Sequence, residues 1–189
     1  GAVGDLLDCQ LEVALAQVEG IAERGIRAVF GGGDMADKNG PMYSPQMFRD
    51  LALPRWKVLA DRCRELGLHY VWRTDGKVWP ISDMIFVDAG MPGYGEVDRD
   101  ATMELGKIRE QYPDLVVWTN VSVDLLYSGS REAVYEDSLK ILEESEGKGY
   151  FHGASNAVLP GTPPENVWAM VEARNDFNDR CVANYPLVK

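Results

Sequence analysis

Short apolar stretches recur five times along this chain, and a cluster of Gly, Asp, Asn or Ser follows or interrupts each one. The stretches cover residues 26–30, 68–72, 93–97, 115–118 and 150–151, and helix-like segments separate them. Strands that alternate with helices predict parallel pairing through right-handed crossovers. In such folds the carboxyl ends of the strands share one edge, where active sites collect. The polar clusters are therefore the first place to look for a functional site.

The hydrophobic spacing also predicts the helices. Apolar residues at helical spacing predict helices over 5–24, 101–112 and 131–144, and Thr162-Pro163-Pro164-Glu165 resembles a capping box that opens a helix through 177. Ser44 and Pro45 predict the start of a helix that runs to 66 and bends near Pro54. Periodicity alone leaves 81–87 open between strand and helix, although Gly90 as a C-terminal cap favours a helix.

Composition places the chain among globular proteins. With 189 residues and 46% hydrophobic content it can bury a core, and its length predicts a single domain over 1–189. No apolar run is long enough to span a membrane and residues 1–9 lack the features of a secretory signal, so we expect no membrane association and a cytoplasmic location. The net charge of −11 would repel phosphate backbones, which argues against nucleic acid as a partner.

The cysteines predict neither a disulfide framework nor a cysteine zinc site. Cys9, Cys63 and Cys181 are odd in number, far apart and without a CxxC pair. Buried or unused thiols are the simpler interpretation.

Three residues after the first two strands are the strongest catalytic and binding candidates. Asp34 follows a run of glycines and could carry a proton, or it could only organise its own loop. Arg73 and Asp75 lie two positions apart, which puts both on one side of an extended segment. The arginine could bind a substrate carboxylate while the aspartate transfers a proton, and a structural ion pair is the alternative.

Later strand ends supply weaker candidates for substrate binding: Glu96, Asn120, His152 and Asn156. Asn120 and the nearby Ser122 could equally satisfy backbone groups in a turn, and a buried structural histidine is a common alternative for His152. His69 precedes its strand end and is interpreted as a core or helix-facing residue. Whether a metal binds is left unknown, since Asp34, Asp75, Glu96 and His152 could converge on magnesium, manganese or an unusual zinc site.

Five ordered segments resemble the uroporphyrinogen decarboxylase superfamily. They are GDMADKNGPMYSPQMFRDLALPRWK, RTDG, GEVDRDATM, TNVSVDLLYSGSREAV and GASNAVLPGTPPENVWAM. The resemblance implies a (β/α)8 barrel of the TIM type, of which this chain would be an incomplete C-terminal portion with about five βα units. It is nearest to the methyltransferase-like branch.

The chain departs from the residues that the resemblance leads us to expect. Methyltransferase members carry a His-x-Cys pair and a later cysteine as zinc ligands, and the corresponding positions are Arg73, Asp75 and Asn156. A guanidinium group cannot coordinate a metal, so the usual zinc ligands are absent. Decarboxylase members carry a histidine near the last strand, again at the position of Asn156, and further catalytic residues in the barrel half that this chain does not match.

The resemblance implies three functions that the residues leave open. The first is methyl transfer or demethylation of a small substrate with a corrinoid on a partner protein. The second is cofactor-independent decarboxylation, with Arg73 bound to a substrate carboxylate. The third is a non-catalytic half-barrel that needs a complementary N-terminal half or its own copy, because an open barrel leaves two exposed strand edges.

Overall fold

A computed structural model describes residues 1–184 of the chain, and its contacts divide the chain into two compact units. Unit 1 is Gly1–Gly95, and unit 2 begins at Glu96. The expected single domain over 1–189 includes residues 185–189, which lie outside the described residues, and it stays a prediction.

Unit 1 is a parallel sheet with helices. Its elements are α1 (Ala2–Glu23), β1 (Ala28–Gly32), β2 (Ala36–Asp37), β3 (Gly40–Pro41), α2 (Pro45–Met47), α3 (Leu53–Glu65), β4 (His69–Arg73) and β5 (Gly93–Gly95). β1 pairs in parallel with β4, and β4 pairs in parallel with β5. The strands β2 and β3 form a separate antiparallel hairpin that the hydrophobic pattern did not predict.

Unit 2 continues the alternation of strands and helices. Its elements are α4 (Leu105–Gln111), β6 (Val116–Trp118), α5 (Val123–Ser128), α6 (Arg131–Glu144), β7 (Tyr150–Phe151) and α7 (Pro164–Asn184). β6 and β7 pair in parallel. The parallel pairing within both units confirms the predicted α/β class.

Aromatic rings form the core of unit 1 between the sheet and its helices. Trp72 of β4 is fully buried, with its ring centroid 6.3 Å from Trp56 of α3 and 5.9 Å from Tyr94 of β5. The ring of Phe86 belongs to the same cluster, and its centroid lies 5.3 Å from that of the Tyr94 ring. Because side chains alternate along a strand, Val71 and Arg73 lie on the other face of β4.

Unit 2 has a core of a different kind, built between two long helices. Leu142 of α6 packs with Ala173 and Phe177 of α7, and Tyr150 of β7 packs against this cluster. Tyr150 therefore marks the helix-facing side of β7.

The helix from Ser44 was predicted with its cap and its irregularity near Pro54. Ser44 Oγ accepts a hydrogen bond from the Met47 amide at 3.1 Å, which confirms the cap. A π-helical turn at Phe48–Ala52 separates α2 from α3, so the irregularity lies immediately before Pro54. Proline has no amide hydrogen to continue the regular ladder, and a wider turn is one way to accommodate it.

Two predicted helices differ from the structure. The helix expected over 101–112 begins only at Leu105, because Thr102 has a left-handed φ of 70° that ends a short 3₁₀ turn at Arg99–Ala101. The segment around 81–87 is helical as favoured, but it consists of a 3₁₀ turn at Trp79–Ile81 and a π-helical turn at Met84–Asp88. Among the described helices, none is long and apolar enough to cross a membrane.

Candidate active site

In unit 1 the backbone brings Asp34 beside Arg73 and Asp75. The Gly33 amide donates to the Arg73 carbonyl at 3.2 Å, and the Met35 amide donates to Thr74 Oγ1 at 2.9 Å. Asp34 lies between these two bonds and its side chain is exposed. The loops after β1 and β4 thus run together at the carboxyl ends of their strands.

Two glycines permit this close approach. A Cβ on Gly32, whose φ is +146°, would lie 2.2 Å from the Arg73 carbonyl oxygen. A Cβ on Gly76 would lie 2.7 Å from the backbone carbon of Ala36. Any larger residue at either position would push the two loops apart, so the arrangement depends on glycine.

The Arg73 guanidinium lies 5.7 Å from the centroid of the Phe30 ring, a cation–π geometry. Phe30 is 41% exposed, and Arg73 and Asp75 are both half-buried. Unit 1 therefore presents an aromatic surface, a cation and carboxylates at one end of its sheet. This set can bind a flat ligand, fix a carboxylate and move a proton.

In unit 2, Asn120 is bonded to the backbone. Its side chain is fully buried, and Nδ2 donates to the carbonyls of Val97 at 3.1 Å and Met103 at 3.2 Å. Both carbonyls belong to the segment that follows β5. Asn120 thus fixes this segment against the end of β6, which is the structural alternative foreseen for it.

Ser122 has a similar structural role. Its hydroxyl donates to Asp100 Oδ2 at 2.8 Å and accepts from the Leu125 amide at 3.3 Å, which caps α5. Asp100 was missed by sequence reasoning. The spacing of Asp98 and Asp100 in a turn was the available signal, since Asp98 Oδ1 also accepts from the Asp100 amide.

Two residues directly after strands have left-handed backbone conformations. Glu96 has φ of 61° after β5, and Thr119 has φ of 74° after β6. Neither residue type adopts this region readily, and such strain concentrates at functional sites. Glu96 is half-buried, and it remains a predicted substrate-binding residue.

His152 lies two residues after Tyr150 and forms a hydrogen bond with it, at 3.2 Å between Nδ1 and the phenolic oxygen. This contact keeps the imidazole with the helix-facing side chain of Tyr150. Burial, with Arg174 as the next contribution, lowers the pKa of His152 to about 4, so the ring is neutral near pH 7. Asn156 is exposed in the loop after β7.

His69 was misinterpreted from the sequence. It is exposed rather than buried, and it shares its face of β4 with Val71 and Arg73. Within the described part of the chain, no three His, Cys, Asp or Glu side chains form a group that could hold a metal ion.

Parallel βα units with polar side chains at the strand carboxyl ends define an α/β protein of the barrel type, represented here by an incomplete barrel. A family model described as uroporphyrinogen decarboxylase (URO-D) matches residues 2–177, and the chain belongs to this family. The resemblance stated from the sequence motifs is thereby confirmed.

Individual relatives match shorter stretches. The chain is 32% identical over 74 residues to a uroporphyrinogen decarboxylase of Geotalea uraniireducens, a match that covers 39% of this chain and 22% of that protein. A uroporphyrinogen decarboxylase of Rickettsia akari is 30% identical over 73 residues, which is 39% of this chain and 21% of that protein.

A solved structure extends the comparison to most of the fold. A methyltransferase from Methanosarcina mazei superposes with a TM-score of 0.73 and 24% identity, covering 90% of this chain and 48% of that chain. This similarity shows the fold. The chain thus spans about half of the solved methyltransferase, and its matched segments span about a fifth of the decarboxylases.

Proposed function

We propose that this chain is the C-terminal portion of a methyltransferase-like domain that handles a small methylated or carboxylated substrate. Its reaction would be corrinoid-linked methyl transfer or demethylation. The observation that carries the proposal is the joined loop pair in unit 1, which sets Asp34 beside Arg73 and Asp75. The similarity in fold to the Methanosarcina methyltransferase supports the same assignment.

Each residue of the loop pair has a chemical task in this proposal. Arg73 binds an anionic group of the substrate, since a guanidinium fits a carboxylate with two parallel hydrogen bonds. Asp34 or Asp75 gives a proton to the group from which the methyl departs. Glu96, Asn120, His152 and Asn156 remain proposed substrate-binding residues of unit 2.

Zinc does not fit these residues. The positions that the family resemblance assigns to zinc ligands carry Arg73, Asp75 and Asn156, and a guanidinium group donates hydrogen bonds but cannot coordinate a metal. The proposed reaction therefore does not use zinc. A corrinoid on a partner protein would supply the methyl acceptor, and the exposed Phe30 ring beside Arg73 suits a flat ligand with anionic groups.

The second candidate is cofactor-independent decarboxylation, which the identity to uroporphyrinogen decarboxylases favours. In that reaction Arg73 holds the substrate carboxylate next to the bond that breaks, carbon dioxide leaves, and a carboxylic acid protonates the resulting carbanion. The third candidate is a non-catalytic half-barrel that binds a complementary N-terminal half. A cytoplasmic setting belongs to all three proposals.

A two-arm assay separates the candidates. In the first arm the chain is mixed with free cob(I)alamin and a panel of small O-, N- and S-methylated compounds, and methylcobalamin is followed by its absorbance. In the second arm the release of carbon dioxide from uroporphyrinogen is measured without added cofactor. Methylcobalamin formation that is lost in D34N supports the leading proposal, and carbon dioxide release supports the second.

The control for both arms is Asp61→Asn, a partly exposed aspartate of α3 that pairs with Arg64 on the same helix. It changes the net charge as D34N does but leaves the loops untouched. If neither arm shows turnover while a complementary half-barrel binds, the non-catalytic candidate is favoured.

A further inference from the structure

The face of the sheet that carries Arg73 in unit 1 has two positions without a side chain. Phe30 of β1 is paired with Val71 of β4, and Val71 is paired with Gly93 of β5. Further along the same face, Arg73 is paired with Gly95. Residues paired in this way point to the same side of a sheet, so the two glycines of β5 lie beside Val71 and Arg73.

The ring of Phe30 fills the space that a side chain at position 95 would take. A Cβ added to Gly95 would lie 2.4 Å from Cε2 and 3.2 Å from Cζ of Phe30, and 3.2 Å from Cγ1 of Val71. In the sheet β4 lies between β1 and β5, so the ring crosses β4 to reach this place. The position of the ring edge therefore depends on the residue at 95.

The same ring contacts the guanidinium group of Arg73. The Arg73 Cζ atom lies 5.7 Å from the centroid of the Phe30 ring, which is within the range of a cation–π interaction. Phe30 thus meets Arg73 of β4 and the empty position on β5 at once. A change at Gly95 that moves the ring would also change the support that the ring gives to Arg73.

Gly95 differs from the two glycines that join the strand-end loops. Gly32 and Gly76 have positive φ values, and a Cβ on either would meet backbone atoms. Gly95 has no positive φ, and the nearest atoms to its added Cβ belong to the side chains of Phe30 and Val71. An alanine at 95 therefore fits the strand and moves the ring edge by about 1 Å, to ordinary contact at 3.4 Å.

We propose that Gly95 and Phe30 are positioning residues for Arg73. The glycine leaves room for the ring, and the ring holds the guanidinium where a substrate carboxylate binds. This inference rests on the proposed function, in which Arg73 binds an anionic group of the substrate. It names the substrate class as small carboxylic acids that carry a methyl group on oxygen, nitrogen or sulfur, because an uncharged methylated compound would gain nothing from a positioned cation.

The first test reads the position of Arg73 without any ligand. Its Nε–H group gives an NMR signal, which is identified as the cross-peak that Arg73→Lys removes. An aromatic ring shifts the signals of protons near it, so Phe30→Leu should move this signal. Gly95→Ala should move it as well, although the atoms nearest to the added methyl group belong to Phe30 and Val71.

The second test measures carboxylate binding with acetate as the probe. Acetate is titrated against each variant and followed on the same signal, and sodium chloride at equal ionic strength corrects for screening. We expect F30L and G95A each to weaken acetate binding about two- to fivefold, which is the size of one cation–π contact.

The double variant F30L/G95A separates positioning from unrelated damage. If Gly95 acts through Phe30, the alanine should have almost no further effect on acetate binding once the ring is gone. Gly106→Ala in α4 is the matched control, because a Cβ there meets nothing within 4 Å. This variant should leave both the Arg73 signal and the acetate affinity unchanged.

An Arg73 signal that stays in place in both F30L and G95A overturns the proposal. Additive effects of the two substitutions on acetate binding, or no binding of acetate at all, overturn it as well. The substrate class is wrong if the two-arm assay turns over uncharged methylated compounds in preference to methylated carboxylic acids. The NMR and acetate measurements need no turnover, so their failure is distinct from failure of the proposed reaction.

Discussion

The two units hold their strand-end loops in different ways. In unit 1 the loop of Asp34 is fixed by backbone amides and by the Thr74 hydroxyl, and the side chain of Asp34 stays exposed. In unit 2 polar side chains hold the loops themselves, as Asn120 does with the carbonyls of Val97 and Met103. The carboxylate of Asp34 in unit 1 therefore faces solvent, whereas the amide of Asn120 in unit 2 carries part of the stability.

The largest effect that this comparison predicts is in unit 2, at Arg109. Its guanidinium donates to the carbonyls of Pro113, Leu115, Lys148 and Gly149, which ties the start of β6 to the start of β7. Arg109→Ala should lower the free energy of unfolding by about 2–4 kcal/mol, because several carbonyls lose a charged donor. Urea denaturation measures this change.

Arg109→Lys is the control for charge. A lysine keeps the cation but cannot present a planar fork to four carbonyls, so we expect it to restore less than half of the lost stability. Full rescue by lysine would show that charge rather than geometry holds these segments together.

The second-largest predicted loss of stability is at Asn120. Asn120→Ala removes two buried hydrogen bonds and should cost about 2 kcal/mol in the free energy of unfolding. Hydrogen exchange should speed up at the Ala101 and Met103 amides, which bond to the Asp98 carbonyl in the segment that Asn120 holds. If the variant loses binding of a substrate without losing stability, Asn120 belongs to the site and the contrast between the units fails.

The third predicted effect is a change of the free energy of unfolding with pH, which is caused by His152. The folded protein keeps this ring neutral because burial lowers its pKa to about 4, while an unfolded histidine titrates near its ordinary value of 6.5. The unfolded state therefore binds more protons between these values, and stability should fall as the pH drops from about 6.5 toward 4. We expect a loss of about 2 kcal/mol at pH 5 relative to pH 7, measured by urea denaturation.

His152→Gln should flatten that part of the profile, and the loss of the contact to Tyr150 should also lower the free energy of unfolding at pH 7. An unchanged slope in the variant would assign the pH dependence to other groups.

The smallest effect on stability is predicted in unit 1. Asp34→Asn changes an exposed side chain and should shift the free energy of unfolding by no more than about 0.5 kcal/mol. The same variant should reduce turnover in the two-arm assay by at least tenfold if Asp34 carries a proton. A large loss of stability instead would show that Asp34 organises its loop, and unit 1 would then resemble unit 2.

The sequence was informative where a residue type has one dominant structural use. Ser44 before Pro45 marked a helix start, and the apolar stretches marked all five parallel strands within a few residues. It failed where backbone conformation overrode side-chain pattern: Thr102 in a left-handed conformation shortened a predicted helix. Short polar hairpins such as β2 and β3 have too little alternation to be recognised.

For the candidate site, too, the sequence predicted some features and missed others. Position after a strand identified Asp34, Arg73 and Asp75, because the carboxyl ends of parallel strands share one edge. Position could not reveal that Asn120 is fully buried or that Phe30 is exposed, since both depend on which face of the sheet the helices cover. His69 was assigned to the wrong environment for this reason.

The turn between β2 and β3 also affects how fast the protein deamidates during storage. Asn39-Gly40 is a sequence prone to deamidation, in which the glycine nitrogen attacks the asparagine amide and closes a succinimide ring. Asp37 Oδ1 accepts hydrogen bonds from the amides of Asn39 at 2.7 Å and Gly40 at 3.1 Å, and these bonds lower the pKa of Asp37. The attacking nitrogen is thereby engaged, so long storage should leave this asparagine intact for longer than the same dipeptide in an unfolded chain.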